Sequence, residues 1–134
     1  MNITTFDELL AAARTQAQPQ RLLFVLAGIE LPEDASPQER AGFERGEGGA
    51  LVPRLCVDKS PDELADFAQF SAEAATLGVD WGMVFAAALS GQASRPPAPA
   101  DVDTALNTMV ERIRQGQIGA FLPFDRQGHA VRIG

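Results

Sequence analysis

Cys56, Asp58, Lys59 and His129 are the residues of this chain best suited by type to chemistry. Three of them fall within four positions, in Leu55-Cys56-Val57-Asp58-Lys59-Ser60-Pro61. A thiol becomes a nucleophile when a cation or a helix N-terminus favours its thiolate. Lys59 stands three residues on, and a helix start follows it, so Cys56 is a candidate reactive thiol. The competing reading is a small hydrophobe inside a strand. A Cys56–His129 nucleophile pair needs a third group to orient the histidine, and the sequence offers none. One cysteine and one histidine are too few for a zinc site, and the acidic residues lack the spacing of a calcium loop. No catalytic residue is assigned, and neither a metal nor a cofactor is expected.

The glycines at 46, 48 and 49 sit just before this stretch. A phosphate cradle runs strand, glycine loop, helix, so that backbone N–H groups face the anion. Here a helix precedes and a strand follows, and Glu47 would repel phosphate, so the cluster reads as a helix ending. G-x-S-x-G, H-E-x-x-H and a Walker-type lysine are all missing. No motif gives reason to assert an enzyme.

The elements that must position these residues follow from capping and periodicity. Thr5-Phe6-Asp7-Glu8 is a capping box, with Phe6, Leu9, Leu10 and Ala13 at helical spacing, and predicts a helix over 5–16. Leu22–Ala27 is an unbroken apolar run, which predicts a central strand covered on both faces. Ser36-Pro37-Gln38-Glu39 opens a short helix. Residues 50–57 form a second strand, and Pro53 and Arg54 place it near an edge or at a bulge. Ser60-Pro61-Asp62-Glu63 opens a helix with the stripe Leu64, Phe67, Phe70, Ala74, Leu77. Met83–Leu89 is a third strand. Residues 91–100, GQASRPPAPA, read as an extended or mobile Pro/Ala-rich loop. Asp101 or Asp103 caps a last helix through Ile113. Residues 118–124 and 130–133 flank the turn Asp125-Arg126-Gln127-Gly128 and predict a C-terminal β-hairpin.

That order predicts one α/β domain over 1–134: a five-stranded mixed, largely parallel sheet, four helices packed on it, and an antiparallel hairpin at one side. Ligands of open α/β sheets bind beyond the carboxyl ends of the strands. Those ends place Glu30, Asp58, Lys59 and Ser90 together as a candidate ligand- or partner-binding set. Trp81, at the start of the third strand, is a further candidate, against the reading of a core or rim aromatic.

The 134 residues are 46% hydrophobic and 22% charged, an ordinary globular balance, with a net charge of −7 and a single lysine. Phosphate backbones and anionic membranes would repel such a chain, so no nucleic acid and no membrane are expected as partners. One cysteine rules out an intramolecular disulfide. The start MNITTFDELL lacks the basic and apolar regions of a secretion signal, and no apolar stretch is long enough to span a bilayer. The expectation is a cytoplasmic protein.

RLLFVLAGIELP, GEGGALVP, CVDKSPDELADF and PFDRQG together resemble a group of short bacterial proteins often labelled "ribonucleotide reductase subunit alpha". That reaction needs a large barrel, a radical-bearing cysteine and a redox-active cysteine pair. One cysteine in 134 residues cannot supply them, so the resemblance brings no catalytic residue. The layout is also loosely similar to SseB-like domains, where a strand leads through a Ser/Thr-Pro turn into an Asp/Glu-Leu helix.

Two functional expectations result. The first is a small acidic binding or adaptor protein that meets a protein partner, or itself as a homodimer, through the edge of its terminal strand. The alternative is a small enzyme or ligand-binding domain using Glu30, Asp58, Lys59 and Ser90. A redox or metal role through Cys56 is a third possibility.

Overall fold

The computed structural model describes residues 2–45 and 48–132. The elements are α1 (Phe6–Arg14), β1 (Gln20–Glu30), α2 (Pro37–Glu44), β2 (Ala50–Lys59), a 3-10 turn (Pro61–Glu63), α3 (Phe67–Thr76), β3 (Met83–Ser90), α4 (Pro99–Arg114) and β4 (Leu122–Phe124). Among the described residues the sheet has four strands in the order β2-β1-β3-β4, and every neighbouring pair is antiparallel. The expected five-stranded, largely parallel sheet is thereby corrected.

The physical reason lies in the connections. β2 and β3 both run antiparallel to β1 and so run parallel to each other, joined through α3. That is a crossover unit split by an intervening strand. The parallel strands exist, but β1 separates them, so they share no hydrogen bonds. The link from β1 to β2 through α2 is not a crossover over the sheet: α2 buries none of its residues, and β2 simply returns beside β1. At the C-terminus the expected hairpin shrinks to β4 and an isolated bridge between Phe124 and Ala130. Ile133 lies outside the described residues.

β1 is the middle of the molecule. Leu22, Phe24 and Leu26 face a core built with Phe6, Leu9 and Leu10 of α1, Phe70 and Ala74 of α3, Leu64, Trp81 and Phe124. Leu23, Val25 and Ala27 face a second core with Phe85 and the α4 residues Val102, Leu106, Met109 and Ile113. Helices on both faces explain why Leu22–Ala27 does not alternate with polar residues. The first core is aromatic. The Phe6 ring lies 5.2 Å from Phe24, 4.9 Å from Phe70 and 5.6 Å from Phe124, centroid to centroid.

Local boundaries follow the capping chemistry. Thr5 Oγ1 accepts from the Glu8 N–H at 3.1 Å, starting α1, and Ser36 with Glu39 forms the expected box at α2. The Ser60–Glu63 box forms too, the Glu63 carboxylate accepting from the Ser60 N–H at 2.9 Å. It holds only one 3-10 turn. Leu64 is extended, and α3 starts afresh at Asp66, whose Oδ1 accepts from the Gln69 N–H at 2.9 Å. Arg14 of α1 donates to the Pro61 and Leu64 carbonyls, satisfying acceptors that the short turn leaves free. α4 begins at Pro99 with Ala98 as cap, not at Asp101 or Asp103, because proline suits a first helical position.

Within 91–98 the chain turns back on itself. Gln92 and Arg95 bridge around Ala93 and Ser94, whose φ values are 53° and 62°. Gly91 is where the backbones press closest: a Cβ there would stand 1.8 Å from the Arg95 carbonyl oxygen.

Candidate functional site

The two edges of the sheet have opposite fates. β4 is covered. The segment after it turns at Gly128, and the Phe6 N–H donates to the Gly128 carbonyl while the Ala130 N–H donates to the Thr4 carbonyl, both at 2.8 Å. Thr5 bridges His129. The terminal edge expected to receive a partner is therefore used by the chain's own N-terminal segment.

β2 is the other edge, ten residues long, and no described strand pairs with its outer side. Alternate N–H and C=O groups on such a strand face outward. Its middle is interrupted: Leu26 pairs with Leu55 but Ala27 with Pro53, which leaves Arg54 as a bulge. The Arg54 guanidinium folds back over Gly28, where a Cβ would meet its Nε at 2.2 Å, and reaches Glu30 Oε1 at 2.6 Å. Only glycine at position 28 leaves that space. Beyond the bulge, Leu55 to Lys59 is a regular edge segment, about 17 Å long at roughly 3.3 Å per residue.

Along this segment side chains alternate between faces. Leu55 and Val57 pack toward the α3 side. Cys56 sits opposite Val25 and Asp58 opposite Leu23, both on the α4 side. Lys59 returns to the α3 side and lies 3.3 Å from Glu73. Lys59 and Cys56 thus occupy opposite faces of one strand, and the expected activating cation is not beside the thiol. Burial, the larger effect, raises the Cys56 thiol above its usual range, and Arg114 pulls it down by less. Cys56 is exposed as a residue, so it is reachable, but at neutral pH it is a thiol and a weak nucleophile.

The predicted site residues are divided between the two ends of the sheet. Glu30 lies at one end of β1, and Asp58 pairs with Leu23, seven residues away, or about 23 Å. Ser90 pairs with Gln20 at the Asp58 end and accepts from Gln20 Nε2 at 2.7 Å. β2 and β3 run parallel, so Asp58, Lys59 and Ser90 share one end of the sheet, while β1 runs the other way and carries Glu30 to the opposite end. Trp81 is 3% exposed, set edge-to-face with Phe67 and Phe70 and roofed by Arg126 at 5.0 Å. It is a core aromatic. His129 is held through its backbone, its N–H donating to Asp125 Oδ1 at 3.0 Å. Gly46 and Glu47, part of the glycine cluster, lie outside the described residues. Among the described residues no three His, Cys, Asp or Glu side chains are grouped to hold a metal ion, and no helix is long and apolar enough to cross a membrane.

Two features were not singled out from sequence. Arg21 bridges Asp58 Oδ2 at 2.7 Å and Glu63 Oε1 at 2.9 Å, tying β1, β2 and the 3-10 turn together. Burial alone would lower its guanidinium pKa, but Asp58 and then Glu63 outweigh that and raise it. The signal was a lone arginine immediately before an apolar strand. The second is a cleft of about 90 Å³ between β2 and α3, lined by Leu26, Val57, Lys59, Phe70, Ala74 and Leu77, with Glu73 at its rim. Leu77 is 60% exposed, the most exposed large hydrophobic among the described residues. It lines the cleft opposite Val57 and Lys59 of the open edge.

Comparisons with protein-family models, with curated proteins and with solved structures give no match.

Proposed function

We propose that this chain is a small acidic binding or adaptor protein that engages a protein partner through the outer edge of β2. The observation that carries the reading is the contrast between the two sheet edges: β4 is covered by the returning Ala130–Val131, which Thr4–Phe6 covers in turn, whereas the outer side of Leu55–Lys59 on β2 has no strand against it among the described residues. An extended segment added there would gain main-chain hydrogen bonds without any rearrangement of the core. Glu30 lies at the far end of the sheet from Asp58, Lys59 and Ser90, so it drops out of a ligand site at the strand ends.

Cys56 gives a direct test, because it is the sole cysteine and sits within the proposed seam. A benzophenone-maleimide placed on Cys56 and photolysed in a lysate of the source cells should yield one dominant protein adduct. The same label on a C56S/R126C variant, near the opposite side of the sheet, should not yield it. Absence of any adduct, or the same adducts from both positions, would overturn the β2 assignment.

A further inference from the structure

The cleft beside β2 has a shape and a surrounding charge that specify more than an open edge does. Its floor is Leu26 and Phe70, which are buried, and its walls are Val57, Ala74 and the exposed Leu77. At about 90 Å³ it is several times the ~10–15 Å³ that admits a single water molecule. That suits one branched aliphatic side chain. Its lining is almost wholly apolar, and water there would find few hydrogen-bond partners. The polar groups at its mouth, Lys59 and Glu73, already satisfy each other at 3.3 Å.

The surrounding charge leans acidic. Between Asp58 and Glu73 the chain carries five carboxylates, at 58, 62, 63, 66 and 73, and one ammonium, at Lys59; Arg21 bridges Asp58 and Glu63 and Lys59 meets Glu73, while Asp62 and Asp66 stand outside those pairs. Asp62, Glu63 and Asp66 are exposed on the turn and cap that lead into α3. With a net charge of −7, a second copy would bring the same acidic rim against this one, and like charges across an interface are costly. A basic segment meets complementary potential instead. The bulge at Arg54 and the missing N–H of Pro53 limit the usable edge to Leu55–Lys59.

We infer that the occupant of this edge is a short, extended, basic segment of another protein, paired to Leu55–Lys59 and anchored by one aliphatic side chain in the Leu26/Val57/Phe70/Ala74/Leu77 cleft. The inference rests on the reading of β2 as the binding edge and adds the chemistry of what binds. Strand pairing supplies sequence-independent hydrogen bonds, the cleft reads one side chain, and the acidic rim selects charge.

The probe is a random twelve-residue peptide library selected on the full chain, followed by synthetic copies of the enriched peptides. Enriched sequences should share one Leu, Ile, Val or Met flanked by Lys or Arg. The synthetic peptides should shift the amide resonances of Val57, Lys59 and Leu77. Replacing the peptide's aliphatic residue by alanine, or Leu77 by aspartate, should weaken binding about tenfold or more. Exchanging the peptide's basic residues for glutamate should abolish it. Leu77→Asp lies at an exposed position, and the peptide-side alanine tests the cleft with the protein unaltered. Peptides that shift β2 amides but ignore Leu77→Asp and their own alanine change would overturn the anchored-cleft inference and leave the edge reading intact. Peptides that shift no β2 amide, or no enrichment at all, would overturn both. Selection of acidic peptides, or dimerisation that buries β2, would overturn the basic-partner inference.

Discussion

Phe6→Ala should destabilise the protein by about 4 kcal/mol, within the range of ~3–5 kcal/mol for truncating a buried phenylalanine. The Phe6 side chain is fully buried and touches the rings of Phe24, Phe67, Phe70 and Phe124, joining α1, α3, β1 and β4 at one point. Each aromatic pair adds about 0.5–1.5 kcal/mol beyond area burial. The backbone N–H that donates to Gly128 is kept by alanine, so the loss is one of side-chain packing. Domains of this size are stable by only ~5–15 kcal/mol, and a change of this magnitude lowers Tm by about 15 °C. Chemical denaturation followed by circular dichroism checks it, with Phe6→Leu as the milder companion. A loss under about 1 kcal/mol would mean that α1 does not pack on the sheet as described.

Gly91→Ala should cost about 2–3 kcal/mol, a large penalty for one methyl group. The added carbon would lie 1.8 Å from the Arg95 carbonyl oxygen and 3.1 Å from that of Pro19. Both are backbone atoms and cannot swing aside as a side chain can. The Gly91 N–H donates to that Pro19 carbonyl at 2.8 Å, which ties the end of β3 to the entry of β1. Moving either strand end disturbs the segment that leads to Pro99 and α4. Gly82→Ala is the control, since a Cβ there meets nothing within 4 Å, and it should change stability by less than about 0.5 kcal/mol. Equal melting of the two variants would contradict the packing around Gly91.

How far the sequence carries the fold can be judged residue by residue. The unbroken run Leu22–Ala27 announces a strand covered on both faces, and β1 is that strand. Pro53 and Arg54 announce an edge or a bulge, and β2 has both. The direction of pairing is not written in the same signals. Alternation of helices and strands constrains β2 and β3 to run the same way, yet it does not say whether a third strand lies between them. That depends on the long-range burial of β1, which no local pattern encodes. The capping box at Ser60 is satisfied by one 3-10 turn as well as by a long helix, because it reports only the first hydrogen bonds.

The site was less legible, for a connected reason. A set drawn from strand carboxyl ends presupposes parallel neighbours, and the antiparallel order sends Glu30 and Asp58 to opposite ends. The separation of Lys59 from Cys56 could have been read: residues three apart on a strand face opposite ways. The cleft at Leu77 could not, because Leu77 continues a helical apolar stripe and only its 60% exposure distinguishes it from a core position.

Amide hydrogen exchange resolved along β2 tests the central claim most directly. In the free protein, alternate amides of Leu55–Lys59 should exchange rapidly while those of Leu22–Ala27 are protected. Binding of the partner captured through Cys56 should then slow the fast set on β2 and leave β4 unchanged. Uniform protection of β2 in the free, monomeric protein, or protection arising on binding only at β4, would contradict it.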